Sequence, residues 1–120
     1  MSKVLGIGGV FVKSKDPAKL RAWYRDVLGM ELQSWGAAML VNEAGSFAQW
    51  SAFGAETKYL EPSTREFMLN LRVDDADGLA KQAGERGATV LDRREHDENG
   101  TFCYVVDPDG TLIELWQPAP

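Results

Sequence analysis

The chain has 120 residues, of which 44% are hydrophobic and 26% charged, and its formal net charge is -5. This length and composition predict one globular domain with a real core, and they exclude disordered and fibrous classes. The acidic balance and the lack of a basic stripe argue against nucleic acid as a partner, because phosphate binding requires clustered Lys and Arg.

The first half of the chain carries one clear helix signal behind an apolar start. Residues 6–14 are rich in Val, Ile and Phe and predict a first strand. The apolar run 4–12 is shorter than a membrane span and has no small-residue cleavage site after it, so we expect neither membrane contact nor a signal peptide. Asp16 suits a helix N-cap, Pro17 the first helical position and Gly29 the left-handed C-cap, and together they predict a helix. Three short strand-like runs follow, at residues 31–35, 37–42 and 46–53.

The second half repeats this order after a polar, turn-rich linker at residues 54–65. Residues 66–73 predict a strand, and "DDADGLAKQAGERG" predicts an Asp-capped helix that ends at Gly87. The series strand, helix, three strands therefore occurs twice, which indicates an internal repeat. We expect a single α+β domain over residues 1–120, with one module at about 1–53 and the other at about 66–120. The last three strands are predicted near residues 89–93, 101–107 and 111–116.

The predicted strands each have two different faces, because side chains alternate across a strand. One face is nearly all apolar, which suits packing against helices. The alternation leaves two interpretations of the second face open: it meets solvent, or its large aromatic groups line a pocket or an interface. This second face carries the candidate ligand-contacting residues Phe11, Lys13, Phe47, Gln49, Met68, Asn70, Arg72, Tyr104, Glu114 and Trp116.

The stretch "DPDGTLIELWQ" fixes which residues of the last two strands face each other. Pro108 excludes a type I′ hairpin, and Gly110 suits the left-handed position after a type I turn. Asp107 then pairs with Thr111, which places Tyr104 opposite Glu114 and Cys103 opposite Leu115 on the apolar face. An acidic residue among apolar neighbours is therefore expected beside a tyrosine on the second face.

Three segments of the chain resemble the glyoxalase, bleomycin-resistance and extradiol-dioxygenase superfamily, also called the vicinal oxygen chelate fold. They are "KSKDPAKLRAWYRDVLGMEL", "RVDDADGLAKQAGERGATV" and "DPDGTLIELWQP", in that order along essentially the whole chain. The resemblance implies two βαβββ modules whose curled mixed sheets enclose a cavity, with helices on the outer face. It also implies a homodimer, because two-module members of the family commonly close their cavities across two subunits.

Metal-dependent members of the family hold a divalent ion at four positions on the cavity face. Matched position by position, these fall on Gly9, Gln49, Met68 and Glu114 in this sequence. Gly9 has no side chain, and the thioether of Met68 is a poor ligand for hard or borderline ions. Glu114 and Gln49 alone do not make a catalytic metal site, where three protein ligands and an open position are usual. We therefore expect no metal or other cofactor.

Two functional hypotheses remain at the level of the sequence. The first is a metal-free binder of a small organic ligand, as in the bleomycin-resistance branch, with a stacking wall formed by Phe11, Tyr104 and Trp116. The alternative is a glyoxalase-like lyase, isomerase or dioxygenase-type enzyme that uses Glu114 as a base or metal ligand, with Tyr104 as a catalytic partner. Lys13 and Arg72 either receive an anionic or carbonyl group of the ligand or pair with nearby acids.

The other reactive side chains fit structural roles. His96 lies in "RREHDENG", predicted as a charged loop, where a solvated histidine is commoner than an acid or base. Cys103 is expected to face the helices and to be inert, since reactive thiols need an accessible, electropositive setting. As the single cysteine, it also excludes an internal disulfide and fits a reducing cytoplasm.

Overall fold

The computed structural model describes residues 2–120, which contain two helices. Helix α1, Pro17–Asp26, begins as predicted: the Asp16 carboxylate accepts a hydrogen bond from the Lys19 amide at 3.1 Å. Helix α2, Ala76–Glu85, begins in the same way, with the Asp75 carboxylate 2.9 Å from the Gly78 amide. Over residues 2–120 no helix combines the length and the apolar character needed to cross a membrane.

The second half of the chain forms one four-stranded mixed sheet. Its strands are β1 (Leu69–Arg72), β2 (Thr89–Asp97), β3 (Gly100–Val106) and β4 (Leu112–Pro118), in the spatial order β1-β4-β3-β2. The β1 strand runs parallel to β4, whereas β3 is antiparallel to both of its neighbours. The predicted α+β class and the βαβββ order of the second module are confirmed, and the sheet is not closed into a barrel.

The core lies between the helices and the apolar face of this sheet. Val105, Ile113 and Leu115 are fully buried, and three alanines of α2 pack on them. The small alanine side chains let the helix approach the sheet closely. Val27 and Leu28, at the end of α1, belong to the same cluster. Both helices therefore pack on the apolar face of the sheet, as the alternation of side chains along the strands predicted.

The hairpin between β3 and β4 has the predicted register. Tyr104 lies opposite Glu114, and Cys103 lies opposite Leu115. Gly110 has a φ of 83°, and its amide donates to the Asp107 carbonyl as the turn requires. The buried Asp107 carboxylate accepts further hydrogen bonds from the Thr111 amide at 2.9 Å and from the Tyr24 hydroxyl at 2.7 Å. The Tyr24 hydroxyl thus ties α1 to the hairpin.

Strand pairing in the first half differs from the prediction. Residues 2–15 form no regular strand, and the three runs between residues 31 and 53 contribute one isolated bridge, between Leu32 and Ala38. An alternating pattern favours a strand only beside a partner that supplies the ladder hydrogen bonds, and within residues 2–120 no such partner lies next to these runs. Their apolar side chains are exposed, Phe11 by 96% and Trp50 by 78%.

The position of His96 also corrects the prediction. The "RREHDENG" segment is not a loop, because β2 continues to Asp97 and only the residues after it turn. His96 pairs with Thr101 across the sheet, and its Nδ1 lies 2.8 Å from the threonine hydroxyl oxygen. Ladder hydrogen bonds from β3 hold this charged segment extended in spite of its polar composition.

The Cys103 thiol faces α2 and is 5% exposed. Burial, supported by a contact of 3.4 Å between its sulfur and the Asp77 carboxylate, raises the pKa of Cys103 to about 11. Because the thiolate is the reactive form, we expect iodoacetamide at pH 8 to alkylate the folded chain about a hundredfold more slowly than the urea-unfolded chain. Mass spectrometry of quenched samples measures both rates, and equal rates would contradict this placement of the thiol.

Candidate ligand-binding face

The side of the sheet opposite the helices collects polar and aromatic side chains from all four strands. We call this side the mixed face. It brings together three of the residues that the sequence placed on one face, Asn70, Arg72 and Trp116, around the predicted pair Tyr104 and Glu114. On this side lie Asn70 and Arg72 on β1, Arg93 and Glu95 on β2, Phe102 and Tyr104 on β3, and Glu114 and Trp116 on β4.

Glu114 is the centre of a buried hydrogen-bond cluster on the mixed face. Its carboxylate is 6% exposed, and one oxygen accepts from the Asn70 side-chain amide at 2.6 Å. The other oxygen accepts from the Tyr104 hydroxyl at 2.7 Å and also from the Tyr59 hydroxyl. A buried carboxylate is tolerated only with such donors. The three donors explain how an acidic residue fits inside an otherwise apolar strand.

Tyr59 is one of the site residues that the sequence did not reveal, together with Arg93, Glu95 and Phe102. It comes from the predicted linker, and its ring meets the Phe53 ring edge-on with centroids 5.3 Å apart. The Arg93 guanidinium lies 4.3 Å from the centre of the Tyr59 ring and 4.1 Å from that of the Tyr104 ring. Arg93 also donates to the Tyr59 carbonyl at 2.9 Å. The sequence signal that could have indicated this role is the presence of an aromatic residue within a polar linker.

The two phenols remain protonated donors at neutral pH. Burial first, then hydrogen bonding to Glu114, raises the pKa of Tyr59 to about 12. Burial and hydrogen bonds to Tyr59 and Glu114 raise the pKa of Tyr104 well above its usual value. Both shifts favour the neutral hydroxyl. Each tyrosine therefore donates a hydrogen bond to the carboxylate and adds no second negative charge beside it.

A second group of side chains forms a stacked aromatic surface next to Glu114. The rings of Phe102 and Trp116 are nearly parallel, 7° apart, with centroids separated by 6.3 Å. Phe47 lies 6.3 Å from Trp116, and its carbonyl accepts from Arg72 at 3.2 Å. The Trp116 indole nitrogen donates to the Asn99 carbonyl at 3.0 Å, which fixes the ring. We call Phe47, Phe102 and Trp116 the aromatic wall.

Other predicted site residues lie in different surroundings. Phe11 projects into solvent, and the exposed Gln49 donates to the Ser51 hydroxyl at 3.2 Å. Met68 is half-buried just before β1. Lys13 lines an open depression of about 520 Å³, which it shares with Ser14, Lys15, Arg65, Pro108 and Asp109 and with no residue of the mixed face.

The mixed face also differs from the open cavity that the family resemblance implies. Tyr59 lies directly on Glu114, so the carboxylate points at a side chain of its own chain rather than at an empty space. The physical reason is the cost of a buried charge: the Tyr59 hydroxyl supplies a donor that an open, partly dry cavity would lack.

The donor set on this face does not suit a divalent metal ion. Both Glu114 oxygens already accept hydrogen bonds from neutral donors, and Gln49 hydrogen-bonds elsewhere. Gly9 offers no ligand, and residues 2–120 contain no group of three or more His, Cys, Asp or Glu side chains placed to bind one ion. The amide and phenol hydrogens around the carboxylate would point at a cation, which is electrostatically unfavourable.

Comparisons with known proteins agree with this architecture. The chain is similar to TnmS3, described as an antibiotic binding protein, from Streptomyces sp. CB03234, at 26% identity over 90% of this chain and 91% of that one, with a TM-score of 0.57. TioX from Micromonospora sp. ML1 shares the fold at 18% identity, covering 88% and 93% of the two chains with a TM-score of 0.54.

A third solved structure has the same fold. It is a member of the glyoxalase/bleomycin resistance protein/dioxygenase superfamily from Sphaerobacter thermophilus DSM 20745, at 24% identity over 90% and 91% of the chains, with a TM-score of 0.50. Among curated proteins, none matches the chain. The family model described as a glyoxalase-like domain matches residues 9–116, which is most of the sequence, and the chain therefore belongs to the glyoxalase-like family.

Proposed function

We propose that this protein binds a small organic ligand with an aromatic ring on the mixed face, without a metal ion. One observation carries the proposal: a buried acceptor, Glu114, lies beside the stacked rings of Phe102 and Trp116. A ligand site of this kind combines apolar area for affinity with a few polar groups for orientation. The likeness to TnmS3, an antibiotic binding protein, supports the same class of function.

The ligand-contacting residues follow from this geometry. The aromatic wall would stack on a planar group, and Phe47, 67% exposed, and the half-buried Trp116 offer accessible ring surface. Asn70 and Tyr104 would keep Glu114 in place, and Arg72 would meet polar groups at the edge. The cytoplasm is the proposed location, because Cys103 is a free thiol.

Replacing Trp116 with alanine should weaken ligand binding at least tenfold, because the largest ring of the wall is lost. The experiment uses a panel of planar compounds that includes naphthalene, 2-naphthol, naphthalene-2-carboxylate and acridinium, and it follows the melting temperature by fluorimetry. At least one compound should stabilise the wild-type chain, and Trp116→Ala should remove that stabilisation. Trp35→Ala, which truncates a tryptophan 70% exposed in the first half, is the matched control. A compound that stabilises Trp116→Ala as strongly as wild type would contradict the wall.

Metal independence has its own test. Calorimetric titration of the chelator-stripped chain with zinc, nickel, manganese and ferrous ions should show no stoichiometric binding. Binding in the micromolar range or tighter would contradict a metal-free site and would restore metal-dependent chemistry as the better account.

We also propose that the chain forms a homodimer. Exposed apolar side chains are concentrated in its first half, and patches of this kind mark interaction surfaces in soluble proteins. The strands β1 and β2 are the edges of the sheet, and edges attract further strands. Sedimentation velocity at tens of micromolar should give the mass of two chains, and a strictly monomeric profile would contradict the proposal. The exposed residues concerned include Val4, Leu5, Val10, Phe11, Met39, Leu40, Val41 and Trp50.

A further inference from the structure

The Tyr59 side chain occupies a specific slot on the mixed face. We call this the Tyr59 slot; it is formed by Phe53, Arg93, Tyr104 and Glu114. The phenol oxygen lies at the carboxylate and 3.1 Å from the Tyr104 hydroxyl. The ring has an edge-on contact with Phe53 and a cation over its face, from Arg93. Every part of a phenol therefore has a complementary group in the slot.

We propose that the Tyr59 slot is the ligand's recognition subsite, that it selects a neutral phenolic hydroxyl, and that Tyr59 leaves it when ligand enters. This inference rests on the proposed function and adds to it the chemical class of the ligand. Tyr59 is thus an internal stand-in for the ligand: its ring and hydroxyl mark where those of the ligand lie.

The chemistry of the slot explains the selectivity. An ionised carboxylate only accepts hydrogen bonds, so the entering group must donate one. A ring without a hydroxyl leaves a buried acceptor unfilled, and sites of this kind reject such analogues strongly. A ligand carboxylate would meet the charge of Glu114 at close range and would be repelled. A phenol satisfies the donor requirement and presents a ring face to the Arg93 guanidinium.

Tyr59 is attached in a way that permits it to leave. It lies in a segment without helix or strand and is only half-buried. The core between the helices and the sheet does not include it, so its departure leaves that packing intact. A phenolic ligand would replace its side-chain contacts with Phe53, Arg93, Tyr104 and Glu114, whereas the hydrogen bond from Arg93 to the Tyr59 backbone carbonyl has no counterpart in the ligand.

The test opens the slot and refills it from solution. Tyr59→Gly removes the phenol, and 4-methylphenol reproduces the missing side chain atom for atom. Calorimetry should show 4-methylphenol binding to Tyr59→Gly at least tenfold more tightly than toluene, which lacks only the hydroxyl. The wild-type chain, whose slot Tyr59 already fills, is the reference and should bind 4-methylphenol more weakly than Tyr59→Gly, because the ligand must first displace the Tyr59 ring. Equal affinities of Tyr59→Gly for the two compounds, or no binding of 4-methylphenol, would overturn the inference.

A second measurement uses the wild-type chain and does not depend on the folding of the glycine variant. Excess 4-methylphenol should displace Tyr59 and move its ring signals in the NMR spectrum towards those of an exposed tyrosine, whereas toluene should not. Unchanged Tyr59 signals with both compounds would overturn the inference. The proposed function has a separate test. It is contradicted if every planar compound that stabilises the wild-type chain stabilises Trp116→Ala equally, whether or not 4-methylphenol binds in the Tyr59 slot.

Discussion

Glu114→Ala should lower the free energy of unfolding by about 3 kcal/mol, because it leaves the fully buried Tyr104 hydroxyl without its acceptor. The half-buried Tyr59 hydroxyl also loses its hydrogen bond to the carboxylate, whereas the amide of the exposed Asn70 can bond to water instead. Breaking a buried polar network by removing one member is costly, even where the intact network adds little to stability. Urea unfolding followed by circular dichroism measures the change.

Glu95→Ala is the matched control for this variant. Glu95 is also a carboxylate on the mixed face, and one of its oxygens lies 3.2 Å from the Tyr104 hydroxyl oxygen, but its side chain is 47% exposed. Its loss should leave unfolding nearly unchanged, since water replaces the lost partner. Glu114→Gln should fall between the two, because an amide oxygen still accepts one of the bonds. Equal stability of Glu114→Ala and Glu95→Ala would contradict the buried cluster.

Gly100→Ala should destabilise the chain still more, by about 4 kcal/mol, through backbone collision and strain. Gly100 opens β3 with a φ of 129°, and an added Cβ would collide with the Gln117 carbonyl oxygen and lie 2.9 Å from the Ala119 nitrogen. Both obstacles are backbone atoms, so neither can move aside without breaking the end of the hairpin. Because Trp116 and Phe102 pair two residues further along, ligand binding should be lost as well.

Gly110→Ala separates strain from collision. Gly110 also has positive φ, 83°, but a Cβ there would meet nothing within 4 Å. This variant should therefore lose only about 1 kcal/mol, the cost of placing alanine in the left-handed region. Thermal unfolding of the two variants side by side measures the difference. If Gly110→Ala lost as much stability as Gly100→Ala, the positive φ alone would account for both losses. That result would contradict the close packing at the start of β3.

Local signals were sufficient to predict much of the second half from the sequence. Asp75 caps α2 because a side-chain acceptor within three residues satisfies a free amide, and such contacts depend on neighbours along the chain. The Asp107 to Thr111 turn fixes the β3 and β4 register in the same way, and with it the meeting of Tyr104 and Glu114. These features depend on residues that are close together along the chain.

The remainder depends on contacts between distant segments, which patterns along the chain do not encode. Tyr59 reaches Glu114 across 55 positions, from a stretch whose polarity indicated only a linker. Strands at the start of the chain were predicted from their alternation, but alternation does not supply a pairing partner. Phe102 has the same parity as Tyr104 and could have been assigned to the wall, since it lies two residues before it on β3.

The most direct test of a metal-free aromatic site on the mixed face is an NMR titration of the wild-type chain with the stabilising compound, in the presence of a chelator. The Trp116 indole nitrogen and the Asn70 side-chain amide each give a resolvable signal at one end of the proposed site. Both signals should shift with a single saturating isotherm. Shifts confined to residues around α2, or a response that disappears with the chelator, would contradict it.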